Sequence, residues 1–536
     1  MVGLRLLYLL SLRGSAGFEK SLKNSEVIQR KKLASLINAA ENTKTAVKFG
    51  LKKDMTYSEF SERVPVSHYK DWEDLVDMQK KTTKPILFQE HCERYQPTSG
   101  SSSKMKWIPY TPTFLNELDN AISPMLVDGF RSNPGIFYGK HYWSLSWIPT
   151  HLRTKLSPDS NDDMKLLPWW KRFFMGLTMA VPTEIAFAAT SEGSMISSLA
   201  YLLACKDLSL ISVWSPTFAI NMFEQMGKHR NELIQILKSG SWGERNQELS
   251  HIRCPKSEYA AHVLECWNGE TTPEFLKAIW PRMSLVSSWD TAASKIWADE
   301  LKKLFPGAQF LAKGLWSTEG VVTIPYLGKY PLAINSHFYE FLDLDSGRIL
   351  PPWGLKKGQI VRPLLTTGSG FFRYDLNDQV IVKDFLGNCP CLEFLGRMEC
   401  VDMIGEKLSP DIAVDVLKKT SDRFNIKPLT LIATPGNGTT GEKPRYNLIC
   451  ETPKDTRLEI KVASFASGLL DESFHYKLAS EIGQLGDLRV IFHPDCRKIY
   501  QKRNESRGMI LGDMKIEPLV LWNDSDSEYL NRLTMT

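Results

Sequence analysis

Between residues 194 and 313 the chain alternates helical spacing with apolar runs too short for helices, and this rhythm constrains the fold more than any other feature. Ser194–Leu203 reads as a helix. Leu208–Trp214 is a buried strand, closed by Ser215-Pro216 and followed by a helix over Thr217–Met226. A helix over Glu274–Ile279, a strand over Met283–Ser287, a helix over Thr291–Phe305 and a strand over Gln309–Lys313 continue the series. Strands joined through helices lie side by side in parallel, so the pattern predicts a mixed α/β architecture with a largely parallel sheet.

The flanks have different characters. Val27-Ile28 followed by Leu33, Leu36 and Ile37 has the spacing of an amphipathic helix. Tyr57–Phe60 and Tyr69–Met78 read as short helices separated by Val64-Pro65-Val66, and Thr113–Val127 as a helix with Thr113 as its N-cap. Tyr142–Trp147 reads as an aromatic strand. After about residue 320, short strands alternate with Gly and Pro turns: Val321–Tyr326, His337–Asp343, Gln359–Leu365, Gln379–Asp384 and Leu392–Leu395. They predict a small antiparallel sheet or β-barrel-like subdomain. Beyond residue 400 an α+β pattern returns, with helices over Pro410–Phe424 and Ser473–Ile482 and strands near 428–433, 445–452 and 488–492. A chain of 536 residues exceeds one hydrophobic core. The expected division is a large N-terminal domain over 1–396, a hinge at 397–402 and a smaller, mobile C-terminal lid domain over 403–536.

Composition excludes several classes. A net charge of +5 is small for this length and argues against a nucleic-acid protein. Nine scattered cysteines, an odd number, fit a reducing compartment such as the cytoplasm. No apolar run approaches the ~20 residues that span a bilayer. Met1–Arg13 resembles a short signal sequence, but Arg13 interrupts it and no small-x-small cleavage site follows, so it reads as the first packed helix. His251, Cys254, His262 and Cys266 offer four metal-ligand types, yet the gap between the pairs is shorter than in a zinc finger. They read as packing and surface residues.

Four stretches carry chemistry. In Gln96–Pro109, hydroxyls and two lysines surround Gly100 after Pro97, and such a loop offers N–H groups, hydroxyls and ammonium charge to a polyphosphate. In Gly314–Gly320, Glu319 follows a strand and is suited to hold Mg2+ on phosphate oxygens, since Mg2+ takes one or two carboxylates plus substrate oxygens. In Gly370–Asp378, Asp378 follows Asn377, a residue that tolerates a left-handed turn, and its carboxylate can accept both hydroxyls of a ribose. Gly396–Leu408 lies where the composition shifts, with Arg397 in a position to serve a hinge.

In this order and spacing the stretches resemble the nucleotide signatures of the adenylate-forming superfamily. More closely, Gly314–Gly320, Arg373-Tyr374-Asp375 and Gly405–Leu408 resemble the auxin-responsive-promoter (Gretchen Hagen) family of acyl-acid amido synthetases, in its bacterial-type form. The resemblance spans essentially the whole chain. It implies that Ser99, Gly100, Ser101, Ser102 and Lys104 contact the nucleotide phosphates. Trp316, Thr318 and Tyr374 would line the nucleotide site, and Glu319 would bind Mg2+. Asp378 would hold the ribose, Arg397 would bind near the ribose or α-phosphate, and Lys515 would enter the site during adenylation. Two positions depart from the family: Ser103 and Asn377 each stand where glycine is usual.

The resemblance implies an ATP-dependent ligase that adenylates a carboxylic acid and transfers the acyl group to an amine, an amino acid in kind, forming an amide. A thioester-forming ligase using coenzyme A, and a degenerate nucleotide- or acyl-binding protein, are the alternatives. The expected partners are small molecules, with no nucleic acid and no membrane.

Overall fold

The structure is a computed structural model that describes residues 2–99, 105–144, 169–291, 295–397, 400–436, 442–506 and 518–534. The chain groups into two compact units: residues up to Thr98 with Trp107–Gly396, and Ser99–Lys106 with Arg397 onwards.

The first unit opens with helix α1 (Val2–Lys23), as the leucine-rich start predicts, followed by helices Ser25–Ala39, Lys44–Phe49, Tyr57–Arg63 and Glu73–Lys80. Strands β1 (Arg94–Ser99) and β2 (Met105–Tyr110) pair with each other, and residues 100–104 between them lie outside the described residues. Helix α2 (Pro112–Ser132) starts one residue before the expected position, and its cap is Thr111 rather than Thr113. Pro112 explains the shift: its fixed φ suits the first helical position, where its missing N–H costs nothing. The Thr111 hydroxyl then accepts the Phe114 N–H at 3.1 Å.

The predicted parallel sheet follows. Strands β3 (Lys140–Trp143), β4 (Leu208–Ser212), β5 (Leu285–Ser288) and β6 (Gln309–Ala312) lie in sequence order, every pair parallel. The strand expected to run to Trp147 is described only to Trp143; residues 145–168 lie outside the described residues. Strand alternation, broken once in β4 by a register shift between Leu208 and Leu210, divides the side chains between two cores. Tyr142, Leu208, Ile211, Val286 and Phe310 face the helices that include Ser191–Ala204 and Pro216–Lys228. Leu210, Leu285 and Leu311 face α1, α2 and helix α3 (Trp169–Gly176).

Beyond β6, strands β7 (Trp316–Ser317) and β8 (Gly320–Val321) form a small hairpin. The strand expected over Val321–Tyr326 stops at Val321. Pro325 cannot donate to a ladder, and Leu327 and Gly328 turn the chain with φ of +50° and +70°, leaving only isolated bridges. Strands β9 (Phe338–Asp343), β10 (Ile349–Leu350), β11 (Ile360–Thr366), β12 (Tyr374–Asp375), β13 (Asp378–Leu386) and β14 (Cys389–Arg397) make one six-stranded sheet, ordered β10-β9-β11-β13-β14 with β12 also on β11.

The second unit is a four-stranded mixed sheet built from β15 (Pro428–Thr434), β16 (Arg445–Cys450), β17 (Arg489–Phe492) and β18 (Leu519–Leu521), ordered β17-β16-β15-β18. Leu431, Leu448 and Val490 face a core that includes residues of helices Pro410–Phe424 and Thr456–Leu470; Ile432, Ile449 and Ile491 face Cys496 and Tyr500 on the other side.

Candidate functional site

Thr318 and Glu319 are the two-residue turn of the β7–β8 hairpin, just beyond the carboxyl end of the edge strand β6. Glycines bracket the turn for steric reasons. Gly314 has φ +75°, and a Cβ there would lie 2.5 Å from the Thr323 carbonyl oxygen; one on Gly320 would lie 2.8 Å from the His337 ring. The hairpin is held from two sides. The Tyr110 hydroxyl donates to the Thr318 carbonyl at 3.1 Å, and the Val321 N–H donates to His337 Nε2 at 3.1 Å. Because a backbone N–H can only donate, His337 carries its proton on Nδ1, which faces Glu117 Oε2 at 2.8 Å. Glu117 Oε2 also accepts the Gly368 N–H at 2.9 Å. His337 and Glu117 are both fully buried, so this chain of hydrogen bonds fixes the turn to helix α2 and to the 367–370 loop.

The half-buried Glu319 carboxylate lies 3.4 Å from the Tyr374 hydroxyl, so the Glu319 and Tyr374 expected in one site do meet. Asp378, almost wholly buried, begins β13. The residue before it, Asn377, has φ +59°, the conformation that makes asparagine a workable substitute for glycine there, and its N–H donates to Asp375 Oδ1 at 2.8 Å. Ser99 ends β1 and Arg397 ends β14; their side chains lie outside the description. Gly100, Ser101, Ser102, Ser103, Lys104 and Lys515 lie outside the described residues.

Arg373, quoted in the third motif, has a different place. It is buried, with φ +49°, and its guanidinium grips both oxygens of buried Glu340 at 2.7 and 2.8 Å while donating to the Ser61 and Val64 carbonyls. Its role is to fix the loop, and burial raises the Glu340 carboxyl above its ordinary value even so.

Trp316, at the start of the hairpin, also lines a cavity of about 110 Å³ between the sheet and helices α1 and α2. The cavity wall is mostly Leu, Ile, Met, Phe and Trp, with no carboxylate among the described residues. Polar groups collect at the carboxyl ends of the strands: Ser212, Ser287 and Lys313, whose Nζ donates to Ser212 Oγ at 2.7 Å and lies 4.7 Å from the centre of the Trp214 ring. His141 lines the same cavity.

Sequence reasoning missed Tyr110, Glu117, His141, Lys313 and His337. Only Glu117 left a signal. It falls on the stripe Phe114–Leu118–Ala121, and a carboxylate on an otherwise buried face needs a partner. The others act across distances in sequence that no local spacing encodes. Among the described residues no three or more His, Cys, Asp or Glu side chains gather as a metal site, and no helix is long and apolar enough to cross a membrane.

Comparison with known proteins adds a family. Residues 14–310 match the GH3 family N-terminal domain and residues 330–397 the GH3 family central domain. The 4-substituted benzoates–glutamate ligase GH3.12 of Arabidopsis thaliana is 22% identical over 410 residues, 70% of this chain and 70% of that protein. Two solved structures share the fold. The AtGH3.15 acyl acid amido synthetase in complex with 2,4-DB aligns over 97% of this chain and 95% of its own, with a TM-score of 0.63 and 17% identity. A second GH3.15 acyl acid amido synthetase structure aligns over 96% and 94%, with a TM-score of 0.59 and 17% identity.

Proposed function

We propose that this chain, which belongs to the GH3 family, is an ATP-dependent ligase that joins a carboxylic acid to an amine, an amino acid in class, through an acyl adenylate. The carboxylate oxygen attacks the α-phosphorus of ATP, the bond to the bridging oxygen breaks, and pyrophosphate leaves. The amine nitrogen then attacks the acyl carbon, AMP leaves and the amide nitrogen loses a proton. No covalent bond to the protein is needed, so alignment and charge neutralisation do the catalysis.

The observation that carries this reading is the clamped turn. Glu319 is presented on a hairpin held by Tyr110 and His337, and the same hairpin supplies Trp316 to a mostly apolar cavity whose described residues include no carboxylate. A site for an anionic acid beside a site for a charged phosphate chain needs that juxtaposition. Glu319, one half-buried carboxylate, suits a Mg2+ ion that completes its shell with phosphate oxygens; bound there, Mg2+ neutralises charge on the polyphosphate. In this reading Asp378 receives the ribose hydroxyls, and Thr318 and Tyr374 flank the nucleotide. The 99–104 loop (Ser99, Gly100, Ser101, Ser102, Lys104) receives the phosphates, Arg397 serves at the hinge over 397–402, and Lys515 belongs to the adenylation step. The acid's apolar body takes the cavity, and Lys313, the one Lys or Arg among its described lining residues, faces its carboxylate. Nine cysteines without a disulfide fit work in the cytoplasm.

The test is pyrophosphate release from MgATP over a panel of carboxylic acids, with and without mixed amino acids. We expect acid-dependent release and an amide only when amino acid is present. Glu319→Ala should lower release about 100-fold or more, and Asp378→Ala chiefly raise KM for ATP. A product formed only with coenzyme A would move the reading to a thioester ligase. Nucleotide binding without turnover would make the chain a binding protein.

A further inference from the structure

One side chain in the cavity wall has no hydrogen-bond partner among the described residues. His141 is 3% exposed, and neither Nδ1 nor Nε2 has a hydrogen-bond partner among the described residues. Its main chain is satisfied: the N–H donates to the Thr178 carbonyl at 3.0 Å and the carbonyl accepts the Ala180 N–H at 2.7 Å. The buried His337 makes the contrast, with both ring nitrogens engaged. Buried polar atoms are nearly always hydrogen-bonded, and an orphan that lines a cavity calls for a partner inside it. Burial lowers the His141 pKa to about 3, so at neutral pH the ring is uncharged and offers one donor and one acceptor.

Strand geometry gives the distance. His141 and Trp143 project from the same face of β3, and in register they pair with Leu210 and Ser212 of β4. The row of Trp143, Ser212 and Ser287 carries the polar end with Lys313. The row of His141, Leu210 and Leu285 lies two residues down, about 7 Å along the strands, and is apolar apart from the imidazole.

We infer that the cavity takes a carboxylic acid whose apolar body ends in a neutral hydrogen-bonding group, a hydroxyl, keto or aryl amine, and that His141 binds that group. The inference rests on the proposed function for the identity of the cavity as the acid's site. A site built to hydrogen-bond a polar group discriminates strongly against the analogue that lacks it.

Matched acids test this on the full chain: hexanoate against 6-hydroxyhexanoate, and phenylacetate against 4-hydroxyphenylacetate. Each is measured by calorimetric binding and by pyrophosphate release. The wild type should favour the hydroxylated member of at least one pair by tenfold or more in both measurements. His141→Phe should bring that ratio to one or invert it, and His141→Gln, which keeps a donor and an acceptor, should retain part of it. Should the Phe variant fail to fold, the wild-type ratios and the Gln variant still decide. Equal binding of both members of each pair overturns the inference, as does a ratio that the Phe variant leaves unchanged, or no binding of any of the four acids. Preferential binding without pyrophosphate release would keep the role of His141 and end the ligase reading. Pyrophosphate release without preference would do the reverse.

Discussion

A few buried residues carry obligations that their neighbours do not. Arg373 and Glu340 form a two-pronged ion pair inside the first unit, with Tyr57 donating to Glu340 at 3.0 Å. Removing one partner leaves a buried charge uncompensated, which costs about 3–5 kcal/mol. We therefore expect Arg373→Ala and Glu340→Ala each to lower stability by about that amount, read as a shift of the urea midpoint, whereas Arg30→Ala, in an exposed pair with Glu26, should change it by under about 1 kcal/mol. Sequence made some of this legible. Asn377 was expected to occupy a left-handed turn and does, because asparagine is enriched there for a local reason. Nothing local to Arg373 announces a partner 33 residues away; a guanidinium inside a motif looks the same whether it meets a phosphate or a glutamate.

Elements were legible wherever a period repeats. The parallel strands and their helices fall within a few residues of expectation because alternation and helical spacing are properties of short windows. The β7–β8 hairpin is different. It is two residues per strand, below any period, and it exists because Gly314 and Gly320 permit close approaches and because His337 reaches it from outside. Its dependence is testable. Gly320→Ala places a methyl group 2.8 Å from His337 Nε2 and 2.9 Å from Leu365 Cδ1, so the turn must move. Misplacing catalytic groups by about 1 Å costs about 100-fold in rate, and we expect a loss of that order in pyrophosphate release. Far-ultraviolet circular dichroism should stay unchanged.

At the scale of the whole molecule, two units carry separate cores and opposite responses to acid. In the first, His141 has a pKa near 3 against an ordinary 6.5 because burial disfavours its charged form. Above pH 6.5 the ring is neutral folded or unfolded. Below it only the unfolded chain takes up the proton, so stability falls by about 1.4 kcal/mol per pH unit down to about pH 3. In the second, burial and the neighbouring Asp402 raise buried Glu406 from 4.5 to about 7, although its carboxylate accepts the Met403 and Ile404 N–H groups and the Tyr446 hydroxyl. Its contribution is complete below pH 4.5 and is lost as pH rises through 7. Hydrogen exchange, corrected for intrinsic rates, should therefore show core amides of the first unit gaining protection from pH 5 to 6.5 while those of the second lose it. His141→Phe should flatten the first trend and Glu406→Gln the second.

The parallel sheet has one further consequence. Because successive same-face positions on a strand are a fixed pitch apart, the wall of the cavity works as a ruler read from its cationic end. Trp143 and Ser212 stand at the first mark, His141 and Leu210 at the second. Exchanging the residue at one mark changes which length of ligand is recognised and leaves the opposite face of the same strands, where Tyr142 and Ile211 pack, untouched. With the acid placed as proposed, we expect that moving a single polar group along a strand retunes the chain to a longer or shorter acid without disturbing the clamp that holds Glu319.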